Sequence, residues 1–397
     1  MDILQEAKAL ESEIVANRRW LHQHPGVAFD IAKTKEYVRA KLEEMGYSPA
    51  DCGKAGLVTT VGGKKEGKVF LLRADMDALP IPEESGVEFA STNGAMHACG
   101  HDMHTAMLLG AAKLLKAHED ELSGTVKLMF QPAEEVFEGG KDMIEHGVLE
   151  NPKPDAALMI HVTAAIPMPA GMIIVCAPGV SAPAADYFTI KVQGKGCHGS
   201  APQNGIDALT AASHILLALQ EIHARELPSS EEAVLTVGTF HGGTASNVIA
   251  DSAELGGTIR TYDERVRSFL KERMTDIAQS IAKAYRATAT VEFGSGCPTL
   301  VNDKTLAGSV TVYLREMLGQ GVLSAADLGG MRGGGSEDFA YVSQEVPALM
   351  LALAAGEPSK GYTYPQHHPK VKFDESVLPI GAAAFTQAAM KWLENNA

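Results

Sequence analysis

No stretch of this sequence approaches the ~20 uninterrupted apolar residues that cross a bilayer, so a membrane span is not expected. Cysteine is scarce. Cys52, Cys99, Cys176, Cys197 and Cys297 are odd in number and follow no pattern, which argues against a disulfide framework and leaves each thiol to be read locally. Positive charge is short as well: 34 Lys and Arg stand against 49 Asp and Glu, a formal net charge of −15. Neither nucleic acid nor an anionic lipid surface is therefore an expected partner. The opening MDILQEAKALESEIVANRRW carries charge throughout and lacks the apolar centre of a secretory signal, which points to a soluble, cytoplasmic protein. Tandem repeats and low-complexity tracts are missing too.

What is present is globular material, 45% hydrophobic and 21% charged over 397 residues, about twice the usual size of one domain. Ala7, Leu10, Ile14 and Leu21 recur at helical spacing up to Pro25, which predicts an opening amphipathic helix. Thr34 to Met45 predicts a second, closed by Gly46. LVTTV at 57–61, VFLLRADMD at 69–77, TVKLMFQ at 125–131 and AALMIHV at 156–162 read as strands, with helices HTAMLLGAAKLLKAHE and KDMIEHGVL among them. Such alternation means an α/β fold with a mainly parallel sheet.

The Pro/Ala stretch APGVSAPAAD breaks the alternation and marks a boundary near 182. Beyond it, Phe188, Ile190 and Val192 mark a strand, and Leu209, Ala212, Leu216 and Leu219 a helix. AVLTVGTF and AELGGTIRT give two more strands. Val266, Leu270, Met274, Ile277 and Ile281 mark a second helix, and Ala287, Ala289, Val291 and Phe293 alternate in a last strand. This β-α-β-β-α-β order is ferredoxin-like. From Pro298 the α/β pattern resumes, with helix LAGSVTVYLREML, a glycine turn at Gly333-Gly334-Gly335, strand ALMLALA, a loop with His367-His368 and a final helix to Leu393. The expectation is a first domain made of 1–182 and 296–397, with a smaller α+β domain, 183–295, inserted in it.

Chemistry concentrates in a few places. In Cys99-Gly100-His101-Asp102-Met103-His104 a thiolate and an imidazole two residues apart can converge on one metal ion from a loop before a helix. Glu134-Glu135 follows a strand and Pro132. Adjacent side chains of extended chain point apart, so one carboxylate can hold a metal while the other works on a water. His161 ends an apolar strand at the carboxyl edge of a parallel sheet, where α/β proteins place their sites. Asp75 and Asp77 end another strand at that edge, either to bind metal or to hold an imidazole ligand from behind. His367-His368 follows the last strand. Each taken alone has an ordinary reading as a buried cysteine, a solvated acidic turn or a core histidine. Together, on one rim, they point to a metal site.

These residues carry a resemblance to the M20 family of metallopeptidases and aminoacylases, specifically its amidohydrolase branch, which includes hippurate hydrolases, auxin-conjugate hydrolases and N-acyl-amino-acid deacetylases. The resemblance runs nearly end to end: LHQHP at 21–25, RADMDALP at 73–80, HACGHDMH at 97–104, FQPAEE at 130–135, HV at 161–162, GKGCHGSAPQ at 194–203, NVIAD at 247–251, GTIRT at 257–261, SEDFA at 336–340 and HHP at 367–369. It implies a catalytic domain holding one or two divalent ions (Zn, Mn, Ni or Co) through Cys99, His101, Glu135, His161 and His367. It also implies a lid domain that often mediates homodimers or larger homo-oligomers. Glu134 matches the family's general base and Asp77 its supporting aspartate, while Asp75 stands where other branches place a histidine ligand. The resemblance further implies His198 as an oxyanion donor and Asn247 and Arg260 as substrate-binding residues, an arginine being suited to grip a carboxylate.

The implied activity is hydrolysis of N-acyl amino acids or related small amides. The sequence departs from the family at Gly26-Val27, Gln203, Ala250 and Thr163-Ala164-Ala165. None of these removes a catalytic group, and the last bears on acyl specificity. Two other readings use the same residues: a thiol hydrolase with Cys99 as nucleophile beside His101 or His104, and a silent metal-binding protein.

Overall fold

In the computed structural model, which describes residues 2–329, 332 and 334–397, the apolar strands assemble into one eight-stranded sheet. Its order is Ala50–Cys52, Gly56–Gly62, Gly124–Gln131, Lys68–Asp75, Ala156–Thr163, Ala348–Ala354, Ile173–Val175 and Val322–Ser324. The four central strands, from Gly124–Gln131 to Ala348–Ala354, are parallel. Their continuous apolar runs follow from burial on both faces, and Phe70, Leu72, Leu128, Phe130, Leu158, Ile160 and Leu351 join one core. Burying each such side chain contributes about 1.5–3 kcal/mol. LVTTV departs from the parallel expectation, since Gly56–Gly62 runs antiparallel to Gly124–Gln131.

This sheet and its helices form one compact unit, which runs to Ser181 and resumes at Leu300. The predicted opening helix is two helices, Ile3–Ala9 and Glu11–Gln23, with Leu10 closing the first and preceding the second. Ala7, Ile14 and Leu21 are all buried nonetheless, as their spacing requires. Helix His101–Ala117 is buried along almost its whole length and packs against Glu11–Gln23 and the final helix, Leu378–Asn395. The consequence for function is positional. The parallel strands deliver Asp75, Gln131, His161 and Ala354 to a single carboxyl edge.

The second unit runs from Ala182 to Thr299 and includes Ser336. Its antiparallel sheet has the order Ala233–Gly242, Ser252–Thr261, Ala184–Gln193, Thr288–Cys297. Helices Ala208–Glu221 and Glu264–Ala284 share its own core with Phe188, Ile190, Leu255 and Ile259. Both helices start at an aspartate, Asp207 and Asp263, whose carboxylate accepts from first-turn backbone N–H groups. Part of the expected glycine turn, Gly333, lies outside the described residues. No helix among the described residues is long and apolar enough to cross a membrane.

Candidate metal centre

The loop that precedes helix His101–Ala117 presents Cys99 and His101 at the carboxyl edge of the sheet. Donor atoms of Cys99, His101 and His161 lie within 4.8 Å of one another, and so do those of Cys99, Glu135 and His367. The two triads share the sulfur. Cys99 Sγ is 3.6 Å from His161 Nε2, and His367 Nε2 is 3.5 Å from Glu135 Oε2. All five residues that the resemblance implies as ligands are thus brought to one place.

Glu134 and Glu135 do not point apart as extended chain would make them. Ala133 has φ +55° and turns the chain, so that Glu134 Oε2 and Glu135 Oε1 each come within 3.8 Å of His101 Nε2. Asp77 holds this turn from beneath, accepting from Glu134 N at 3.0 Å and Glu135 N at 3.2 Å. Its backbone carbonyl accepts from His101 Nδ1 at 2.9 Å. That bond puts the His101 proton on Nδ1 and turns Nε2 toward the carboxylates. Of the two adjacent histidines His367 reaches the centre, its backbone at φ +65° and its N–H bonded to Ala98 O at 3.0 Å. His368 instead stacks on Tyr364, ring centroids 4.4 Å apart.

Asp75, left open as a ligand or a support by the sequence, has both oxygens engaged. Oδ2 accepts from Arg73 Nη1 at 2.7 Å and Oδ1 from His104 Nδ1 at 2.6 Å. Arg73 is a hub that sequence reasoning missed. Fully buried, it also donates to Gln131 Oε1, Glu337 Oε1 and Asp338 Oδ1, each at 2.9 Å. The signal was an arginine inside the apolar run VFLLRADMD together with the acidic pair of SEDFA. Glu134, Glu337 and Asp338 bring oxygens within 4.8 Å of one another.

The electrostatics follow from this crowding. Burial, with Glu337, Glu135 and Asp338 nearby, holds the Glu134 carboxyl well above its usual range. Burial and the Asp77 and Asp75 carboxylates raise Glu135 to about 7, and burial with Glu337 raises Asp338 to about 8 despite Arg73. Burial alone would depress His101, but Asp75 and its bond to Asp77 outweigh it and raise it well above the ordinary imidazole value. Burial and the neighbouring His104 lower His161 to about 3, and burial with Glu135 pushes the Cys99 thiol up. Arg73 and the raised His101 are the cationic groups set among these carboxyls.

A divalent cation fits this arrangement. His101 Nε2 and Glu135 Oε1 are buried, have no hydrogen-bond partner among the described residues, and lie 3.8 Å apart. Buried polar atoms without partners call for a missing one. The surrounding thiol, imidazoles and carboxylates are the donor types that Zn and other first-row ions take.

His198, Asn247 and Arg260 belong to the second unit. His198 sits in the short strand Cys197–His198, paired with Val248–Ile249, and its Nδ1 accepts from Ser200 N at 3.1 Å. Asn247 is exposed, and its carbonyl accepts from Gly199 N at 2.7 Å, which puts it beside His198. Arg260, on strand Ser252–Thr261, donates to Ser336 Oγ at 2.7 Å.

Comparison with known proteins gives concordant matches. Residues 71–391 match peptidase family M20/M25/M40. The chain is 36% identical over 389 residues to an N-acetyl-L-cysteine deacetylase of Bacillus subtilis, covering 98% of this chain and 90% of the relative. It is 38% identical over 404 residues to thermostable carboxypeptidase 2 of Saccharolobus solfataricus, covering 99% of each. A crystal structure of a dinuclear metal binding peptidase from the M20 family, also from Bacillus subtilis, superposes with TM-score 0.77 at 33% identity over 98% of this chain and 99% of that one.

Proposed function

Because the chain belongs to peptidase family M20/M25/M40, we propose that this metal-dependent amidohydrolase cleaves N-acyl amino acids, or related small amides, to a carboxylic acid and a free amino acid. Deacetylation of an N-acetyl amino acid and removal of a C-terminal amino acid break the same kind of linear amide, so the similarity to both kinds of relative supports the reading. The observation that carries it is the pair of partnerless atoms, His101 Nε2 and Glu135 Oε1, among the donors of Cys99, His161 and His367.

Those five residues would hold one or two divalent ions, drawn from Zn, Mn, Ni and Co, which when bound supply Lewis acidity to an amide carbonyl and to a water. Glu134 Oε2 takes the proton of the attacking water and returns it to the departing amine nitrogen. Its raised affinity for a proton suits both halves of that transfer. Asp77 keeps Glu134 and Glu135 on the turn and fixes the His101 tautomer. In this reading His198 donates to the developing oxyanion, and Asn247 and Arg260 bind the substrate, Arg260 its α-carboxylate.

The test is turnover of N-acetyl, N-benzoyl and indole-acetyl amino acids and of dipeptides, after metal depletion and reloading with each ion. Glu134→Gln is expected to lower kcat by about 10²–10⁴ while leaving metal content unchanged. Unchanged turnover in this variant removes Glu134 as the base. A wild-type protein that loads metal but turns over none of these substrates favours the silent metal-binding reading.

A further inference from the structure

His104 belongs to the metal loop by sequence but to neither Cys99 triad by position. Both its ring nitrogens are engaged by protein. Nε2 accepts from Val162 N at 2.8 Å, so it carries no proton. Nδ1 carries the proton and donates to Asp75 Oδ1 at 2.6 Å, while Arg73 and Thr105 complete Asp75.

The other end of this link matters more. The ladder between Lys68–Asp75 and Ala156–Thr163 stops at the pair Arg73 and Met159. Buried N–H and C=O groups beyond it still need partners, and side chains supply them at Val162. His104 takes its N–H. Its C=O accepts from His161 Nδ1 at 2.7 Å and from Gln366 Nε2 at 2.9 Å. The first of these bonds leaves His161 Nε2 bare and facing Cys99 Sγ. The second anchors the residue next to His367.

We propose that His104 is a positioning residue: by accepting from Val162 N–H it fixes the backbone at Val162, and the carbonyl of that residue sets the tautomer and direction of His161 and anchors the turn that carries His367. This rests on the proposed ligand roles of His161 and His367.

Two substitutions separate its two bonds. In His104→Gln the amide oxygen occupies the place of Nε2 and still accepts from Val162 N–H. In His104→Asn the amide nitrogen replaces Nδ1 and keeps Asp75, leaving Val162 N–H without an acceptor. Competition against a chromophoric chelator should give His104→Asn about 10–100-fold weaker Zn binding, with His104→Gln within about threefold of wild type. Co²⁺ absorption bands should move in His104→Asn alone.

A second readout needs no metal. Ring-nitrogen NMR of the metal-free protein should show His161 as the single Nδ1–H tautomer in wild type and His104→Gln, and as a tautomer mixture in His104→Asn. An unchanged His161 tautomer in His104→Asn overturns the proposal whether or not ions bind. Loss of one ion per chain in both variants also overturns it, by making His104 itself a ligand. If wild type binds no Zn, the metal reading fails, and the tautomer result still decides the role of His104.

Discussion

Replacing Gly100 by alanine should damage the fold and the metal centre together. Gly100 joins Cys99 to His101 and precedes helix His101–Ala117 with φ +95°, a conformation that L side chains rarely adopt; holding one there costs about 1–3 kcal/mol. The new methyl carbon would lie 2.4 Å from Val162 Cγ2 and 3.2 Å from Phe373 Cζ. Both neighbours are buried, so neither can swing into solvent, and overpacking of this kind costs about 1–3 kcal/mol. The sum is about 2–6 kcal/mol, a large share of the stability of an ordinary domain. Relief requires a shift of either the Cys99–His101 loop or Val162, whose carbonyl holds His161. Either shift moves a proposed ligand. Urea unfolding of the metal-free protein and Zn titration of the same samples should both register the change. Val162→Ala in the Gly100→Ala background should recover part of the loss, with a coupling of about 1–3 kcal/mol. A Gly100→Ala protein within about 1 kcal/mol of wild type, with unchanged Zn affinity, would refute the confinement argued for this loop.

Three further outcomes are expected. Arg73→Met removes the buried cation shared by Asp75, Glu337 and Asp338 and should destabilise the metal-free protein by about 3–5 kcal/mol in urea unfolding; an effect below about 1 kcal/mol contradicts the hub. Chelation with dipicolinate or EDTA should abolish amide hydrolysis, with recovery on adding Zn, Mn, Ni or Co, whereas retained activity with a covalent Cys99 adduct would favour the thiol mechanism. His118 bonds to Glu6 and Glu121. Burial lowers its proton affinity, but these two bonds outweigh burial and leave it raised above 6.5. Its contribution to stability is therefore complete below that value and fades as pH rises through the raised one. Removing it in His118→Gln should flatten the stability curve in that window, and an unaltered slope would show that the pair is inert.

The sequence carries the architecture because the central strands are buried on both faces. Short continuous runs such as Val69–Leu72 and Ala156–Ile160, bounded by turn residues, read as buried strands, and their shared direction puts their ends on one edge. Strands of three residues, Ala50–Cys52 and Ile173–Val175, are too short to show a period. Donor types were legible too, since Cys, His and Glu are conspicuous. Their division of labour came from the family resemblance alone, not from residue type or spacing. The turn that aims Glu134 and Glu135 together depends on an alanine at positive φ, a conformation its residue type does not announce. Arg73 finds Glu337 264 positions away, and no local pattern encodes such a pairing.

The two adjacent histidines show the same limit at its narrowest. His367 and His368 have the same side chain on consecutive residues, so composition and spacing treat them alike. What separates them is three contacts, two with distant segments and one within the loop. Gln366 is tied to Val162 O, His367 N–H is tied to Ala98 O beside Cys99, and Tyr364 stacks on His368 and draws it away. Once Gln366 and His367 are pinned to Val162 O and Ala98 O, the His367 imidazole is turned toward Glu135, while His368 stacks on Tyr364. His161 and the residue before His367 share the Val162 carbonyl, so a substitution that frees this carbonyl should loosen His367 and His161 together rather than either alone.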